Sequence, residues 1–361
     1  MPEAPTTVNA VYTATPTVQI DEQSFAKINE LLLAMEMTEQ VGGLSCLELR
    51  FSNIASEFGG LVDFAFEDDR ILKLGSAITV YSGTKTRPQE IFRGHITGLE
   101  ADFGEESPPE LVVLAEDMAQ QARMARRTQV YSESSLADIA TQIAQRLSLT
   151  PVITGLTQTT DTWVQMNESD LCFLRRLLAR YDADVQVVGT ELHVSPRDDV
   201  RRGEVELALH SQLRKARLLA DLAHQVNEVT LTGWNPLQGQ RTSGSSRGDA
   251  LGPGRGQTGA EVLRRTLGER HHHISHLVAP TDAEAAALAA AAFDDRARRF
   301  VTVCATAEGN PAIRVGTYTK LTGLGNRFDN TYYVVQTCHR FDVTRGYETD
   351  FEAECAYWGD R

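Results

Sequence analysis

The sequence predicts a mixed α+β chain, mainly β, in which two related antiparallel β-barrel, tube-like domains flank a small α/β domain. Three observations carry this reading. Strand-like segments crowd both ends of the chain, two amphipathic helices occupy its middle, and the two strand-rich ends share their spacing. At 361 residues the chain is also too long for one ordinary core. The boundaries fall at 1–127 for the first β-barrel domain, 128–203 for the α/β domain and 204–361 for the second β-barrel domain. That last domain carries a Gly-rich loop at 235–260 and a helix at 281–300.

Up to Asp117, "TPTVQI", "LSCLELRFSN", "AITVYSG", "EIFRGHITGLEADF" and "ELVVLAED" read as strands separated by Gly, Pro, Asn and Asp turns. Residues 117–128 read as a connector. "SESSLADIATQIAQRLSLTP" is a helix: Ser134 or Ser135 caps it, and Leu136, Ile139, Ile143 and Leu147 form its apolar stripe. "NESDLCFLRRLLARYDADVQVVGTELHV" is a second helix running into a hairpin. Asn167 or Ser169 caps it, and Leu171, Leu174, Leu177, Leu178 and Tyr181 form its stripe. Arg175, Arg176 and Arg180 lie on the other side. Gly189-Thr190 suits a type II′ turn.

Strand character returns from 204 with "EVELALH" and "HQVNEVTLTGW". "NPLQGQRTSGSSRGDALGPGRGQTG" has almost no apolar content and is expected to be a mobile loop. "TDAEAAALAAAAFDDRARRF" is a helix with a Thr281/Glu284 capping box, and basic residues at 296, 298 and 299 suit its C-terminal end. Its alanine-dense face permits close packing. The chain finishes in strands: "VTVCATAEGNPAIRVGTYTKLTG", "NTYYVVQTCHRF" and "ETDFEAECAYWG".

The two strand-rich ends echo each other. Phe92 and Tyr332, Asp102 and Asp342, Leu111 and Phe351, Val113 and Ala353, and Ala115 and Cys355 are all 240 residues apart, and Gly75 and Gly316 are 241 apart. A repeat with equal strand and turn lengths is the expectation; two unrelated hairpins slid into register are the alternative.

Composition excludes several function classes. A net charge of −14 repels phosphate backbones, so specific nucleic-acid binding is not expected. No apolar run is long enough to span a membrane, and the N-terminus lacks a signal core. Production in the bacterial cytoplasm is therefore expected. The scattered Cys46, Cys172, Cys304, Cys338 and Cys355 read as buried, reduced residues. His271, His272, His273 and His276 lack the glutamate of an H-E-x-x-H helix pair and read as a polar strand or loop, so no metal is expected. "GPGRGQTG" lacks the lysine of a phosphate loop and reads as flexible, so no cofactor is expected. The acidic pairs Asp68-Asp69, Glu105-Glu106 and Asp294-Asp295 read as turns or solvated faces, so no catalytic residue is assigned.

Three blocks then suggest a family. "SDLCFLRRLLARYDADVQVVGTELHV", the preceding "RRTQVYSESSLADIATQIAQRLSLTP" and the closing "EGNPAIRVGTYTKLTGLGNRFDNTYYVVQTCHRFD" with "GYETDFEA" resemble the phage late control D, or tail hub, family. Cys172, Asp182 (where glycine is common) and the long Gly-rich segment depart from its pattern. The resemblance implies a non-enzymatic structural hub, assembled into a phage tail or contractile injection particle. It implies a homotrimer whose barrels form a pseudo-sixfold ring, adapting a hexameric inner tube protein to a trimeric spike protein. The chain stops at Arg361, where fused relatives continue, so the spike is expected as a separate polypeptide. Tyr357 and Trp358 would lie on the spike-facing side. Arg175, Arg176 and Arg180 would offer a face to other baseplate proteins. A baseplate-associated peptidoglycan-degrading enzyme, or a spike fragment binding effectors through the Gly-rich segment, are the alternative readings.

Overall fold

Side chains that alternate between buried and exposed mark a sheet with one covered face. The computed structural model describes residues 15–56, 62–67, 70–84, 87–105, 107–200, 202–248 and 251–359. In its first third, Thr17–Ile20 (β1), Leu32–Gln40 (β2), Cys46–Ser52 (β3), Ala77–Thr84 (β4), Arg87–Asp102 (β5) and Glu110–Asp117 (β6) are antiparallel neighbours. Their spatial order is β2-β3-β6-β5-β4-β1. Met35, Met37, Leu47, Leu49 and Val113 fill one face, while Glu36, Glu48 and Leu114 occupy the other.

The middle comprises Arg126–Ser135 (β7), Leu136–Arg146 (α1), Thr150–Ile153 (β8), Thr159–Ser169 (β9), Asp170–Leu178 (α2), Ala183–Val188 (β10) and Glu191–Pro196 (β11). Both helices start at the expected serines. Ser135 and Asp138 form a reciprocal capping box on α1, and Ser169 Oγ accepts from Cys172 N on α2. The stripes of both helices close a separate core with Val185, Leu192 and Val194. Phe173, absent from the expected stripe, is fully buried there and stacks on Tyr131 at 5.4 Å. Tyr181 falls past the end of α2 and is half-buried. In the β10–β11 hairpin, φ is +59° at Gly189 and not positive at Thr190, as a type II′ turn requires.

The last part comprises Glu204–Ala208 (β12), Leu213–Ala220 (β13), Glu228–Asn235 (β14), Gln240–Ser246 (β15), Gly259–Thr266 (α3), His271–Ile274 (β16) and Asp282–Arg298 (α4). Val301–Glu308 (β17), Tyr318–Thr322 (β18), Asn330–Asp342 (β19) and Gly346–Cys355 (β20) complete it. The strands outside the β14–β16 insert take the order β13-β17-β20-β19-β18-β12. Each position of the first unit therefore has a counterpart in the second. One difference stands out: β1 runs antiparallel to β4, whereas β12 runs parallel to β18.

The irregularities match as well. Leu33 bulges between the pairs Leu32↔Phe51 and Ala34↔Arg50, and Arg214 bulges between Leu213↔Ala307 and Lys215↔Thr306. Thr97 bulges between Ile96↔Ala115 and Gly98↔Leu114, and Val335 between Val334↔Ala353 and Gln336↔Glu352. Gly75 and Gly316 share a left-handed φ of +86° and +85°, which a side chain would strain. The Gly75 N–H donates to Ile96 O and the Gly316 N–H to Val334 O, at 2.8 and 3.0 Å. Aligned on these bulges, Ile96 and Val334 are counterparts 238 residues apart, not 240. The turn lengths also differ: residues 103–109 link Asp102 to its partner Glu110, whereas 343–345 link Asp342 to Gly346. The two-residue offset is even, so inward and outward positions coincided although the register did not.

Several expectations are corrected. Thirteen strands join in one open sheet through pairing of β2 with β19, and among the described residues neither unit closes into a barrel. The Gly-rich segment is not a free loop. Its β15 pairs with residues 229–235 of β14, and Gly244 lies against the backbone of Ala285 and Ala286 on α4. Polar composition misled because glycine on β15 and alanine on α4 let two backbones approach where large side chains would not fit. A Cβ at Gly244 would overlap α4. This insert builds its own core from Val229, Leu231, Leu288 and Phe293. Thr281 caps α4 from its side only: the Glu284 carboxylate turns to the Tyr181 hydroxyl at 3.1 Å. Cys46, Cys172 and Cys304 are exposed, Cys338 is half-buried and Cys355 is buried. Cys46 and Cys304 occupy outward positions of the sheet, where alternation and not apolar neighbours decides burial. All five are free thiols.

Candidate assembly interface

The seam between the two units combines strand pairing with buried polar and apolar contacts. Residues 34–40 of β2 pair antiparallel with residues 336–342 of β19. Met35 stands opposite Phe341, and Met37 opposite His339. Phe341 and Tyr347, from the second unit, lie in the core of the first. On the outward face Glu36 stands opposite Arg340.

Glu39 closes one end of the seam. Its buried carboxylate accepts from Arg314 Nε at 2.9 Å, Arg314 Nη2 at 2.6 Å and the Val315 N–H at 2.6 Å. Burial would raise its pKa, but the Arg314 charge and these hydrogen bonds hold it below the usual carboxylate range. Beside it, burial and Arg314 push the His339 imidazole down to about 4, so it is neutral and takes a 2.7 Å hydrogen bond with the Tyr347 hydroxyl at Nδ1. This cluster ties β2, β19 and β20 together through side chains.

A second network ties the α/β unit to the rest. Arg298 at the end of α4 is buried and pairs with Asp182, Asp198 and Glu354; Arg197 also reaches Glu354, at 3.2 Å. Asp182 holds a left-handed φ of +50°, the conformation for which glycine is the common residue. Its carboxylate accounts for aspartate here, because it meets Arg298.

Each of the three arginines, Arg175 and Arg176 on α2 and Arg180 just past its end, makes contacts within the chain. Arg175 donates to Gly42 O at 2.6 Å and to Gly43 O, binding the helix to the first unit. Arg176 pairs with Glu168 and donates to Val164 O. Arg180 donates to Val278 O and stacks on Trp163. Tyr357–Trp358 pairs with Gln257–Thr258, and Trp358 packs edge-on to Phe300 and beneath Arg327. Both are half-buried parts of the second unit.

Among the described residues no cluster of histidine, cysteine or carboxylate could hold a metal. His271 and His273 are exposed on β16, in the polar strand expected. Asp68, Asp69 and Glu106 lie outside the described residues, and Asp295 pairs with Arg299 on the surface of α4. A groove between α1, Leu237 and α4 contains Glu284, already engaged by Tyr181 and Arg180. No described helix is long and apolar enough to cross a membrane.

The sequence profile described as the Alg8 N-terminal domain matches residues 56–342, most of the chain. The chain belongs to that family. It is a different family from the one its three blocks resemble. No curated protein matches by sequence. In structure the chain is similar to the 43 kDa tail protein of prophage MuSo2 from Shewanella oneidensis, with 12% identity and a TM-score of 0.68 over 94% of this chain and 97% of that one. It is similar to a tail protein from Neisseria meningitidis, with 10% identity and a TM-score of 0.64 over 95% and 99%. It is also similar to an Escherichia coli type VI secretion component described as resembling T4 bacteriophage tail proteins, with 13% identity and a TM-score of 0.55 over 95% and 78%. The fold is therefore that of tail proteins along nearly its whole length.

Proposed function

We propose that the protein is a structural baseplate hub of a contractile tail or injection particle. The observation that carries this is the internal repeat, with two like β units in one chain joined edge to edge. Three copies would present six such units, a ring able to continue a hexameric inner tube at one end and seat a trimeric spike at the other. The resemblance to the late control D family and the likeness in fold to tail proteins support the same reading. The three domains would divide near 127 and 203, with the middle one bracing the ring against other baseplate proteins through the exposed Arg176. Tyr357 and Trp358 would lie toward the spike. The outward sheet face, with Glu36, Glu48, Glu100, Asp102 and Glu352 against Arg50, Arg217 and Arg340, would line an acidic lumen that resists adhesion of acidic cargo. Assembly would follow synthesis in the bacterial cytoplasm.

The test is the mass of the purified chain by light scattering, alone and with a spike candidate. A trimer that gains three spike chains is the expected result. Monomers in both samples would overturn the hub, and a peptidoglycan hydrolysis assay would then decide the enzymatic alternative.

A further inference from the structure

The intrachain seam is a template for a contact that the single chain leaves unmade. By the matched bulges, β13 is the counterpart of β2, and the far end of β5 is the counterpart of the far end of β19. β2 and the end of β19 pair with each other. Past Leu213, which bridges Leu209, β13 has no strand partner on the corresponding edge among the described residues, and neither has the end of β5: β4 pairs with β5 as far as His95, and β13 pairs with β17 on its other side.

Burial records the difference. At the seam Met35 and Met37 are buried, as are Thr337, His339 and Phe341. Their counterparts are Ala216 and Leu218 on β13, both half-buried, and Leu99, Ala101 and Phe103, all exposed. Phe103 is 62% exposed although its counterpart Phe341, at 7%, inserts into the neighbouring core. A chain that buried these positions at one junction and left them in water at the other would waste their apolar area.

We infer that the end of β5 of one copy pairs antiparallel with β13 of the next, repeating the β2–β19 seam between copies. This deepens the hub reading, and the ring of three rests on that reading; the strand pairing rests on the repeat. The seam fixes the register. Asp102 stands opposite Arg217 of the next copy, Ala101 opposite Leu218, Glu100 opposite Leu219, and Phe103 opposite Ala216. Asp102 and Arg217 repeat the Glu36–Arg340 opposition with the signs exchanged. The occupant is thus a second copy of this chain, chosen by charge and by the exposed Phe103, which within the chain meets Phe64 edge-on at 5.7 Å. The contact is head-to-tail, so it closes only as a ring.

The test uses the full chain with Cys46, Cys172 and Cys304 replaced by serine. Glu100→Cys and Leu219→Cys are made singly and together, and treated with a short bis-maleimide. A mixture of the two single variants is expected to give covalent dimers only, and the double variant a ladder that stops at three. A ladder stopping at another number keeps the pairing and overturns the threefold hub. Solution trimers without cross-links in the mixture overturn the pairing and leave the hub standing; monomers without cross-links, with and without the spike candidate, overturn both. As an independent arm, Arg217→Asp is expected to weaken assembly at least tenfold, and adding Asp102→Arg to restore it. An unchanged assembly constant in the single variant would reject the register.

Discussion

At the residue scale, two buried ionisable groups set opposite pH slopes. Burial and the Arg314 charge hold the His339 pKa at about 4, below its ordinary 6.5. The unfolded chain therefore takes up a proton first as pH falls, and stability is lost from about pH 6.5 down to about 4, on the order of 3 kcal/mol in all. Asp117 behaves the other way. Burial raises its pKa to about 6 from 3.8, against hydrogen bonds from Ser45 N and Ala119 N. Its stabilising contribution is present below pH 3.8 and is lost as pH rises through 6. Urea unfolding from pH 4 to 7 is expected to show His339→Asn gaining on the parent protein as pH falls, and Asp117→Asn gaining as it rises. Parallel pH profiles in all three would refute this account. The Glu39–Arg314 pair makes a second expectation. Glu39→Ala leaves a guanidinium without its carboxylate and is expected to cost roughly 3–5 kcal/mol, whereas Glu39→Leu with Arg314→Met costs less. Chemical denaturation of both variants checks the order.

At the element scale, what was legible followed alternation and capping. Ser135 and Ser169 were readable as caps because serine followed by a helical stripe has few other uses. Leu171 to Leu178 gave the core face of α2, but Phe173 escaped because the buried face of the helix is broader than the leucine stripe. The segment from 235 to 260 was misread for a definite reason. Sheet pairing is a backbone property, and β15 needs no apolar side chain of its own when β14 supplies Val229 and Leu231 and an alanine helix covers it. The seam residues Glu39 and Arg314 lie 275 apart, and no local pattern announces such a partner. The echo around Gly75 and Gly316 did announce the repeat, while hydrogen-bond register, which depends on bulges, stayed hidden. The close contact at Gly244 yields a sharp expectation. Gly244→Val places atoms in the α4 backbone and should destabilise by at least about 1–3 kcal/mol, while Gly239→Asn, at an open turn, should cost little. Thermal unfolding separates the two, and equal losses would show that β15 does not pack on α4.

At the whole-molecule scale, charge sets the conditions under which copies can meet. Each chain carries −14, and the proposed ring gathers acidic faces around one axis. Repulsion between such bodies acts over about a Debye length, roughly 30 Å at 0.01 M salt and 8 Å at 0.15 M. The facing strands bring one opposed pair, Arg217 and Asp102, whose attraction is local and worth at most about 1 kcal/mol near solvent. Added salt screens both, but it removes far more repulsion than attraction. The apolar contact of Phe103, Leu99 and Leu218 is unaffected by this screening. Association should therefore strengthen as salt rises from 0.01 to 0.15 M and change little beyond. Mass photometry of the chain across that range is expected to show the oligomer fraction climbing and then levelling. A fraction that falls steadily with salt would mean that opposite charges, and not apolar strand edges, hold the copies together, and Phe103→Ser would then leave assembly intact.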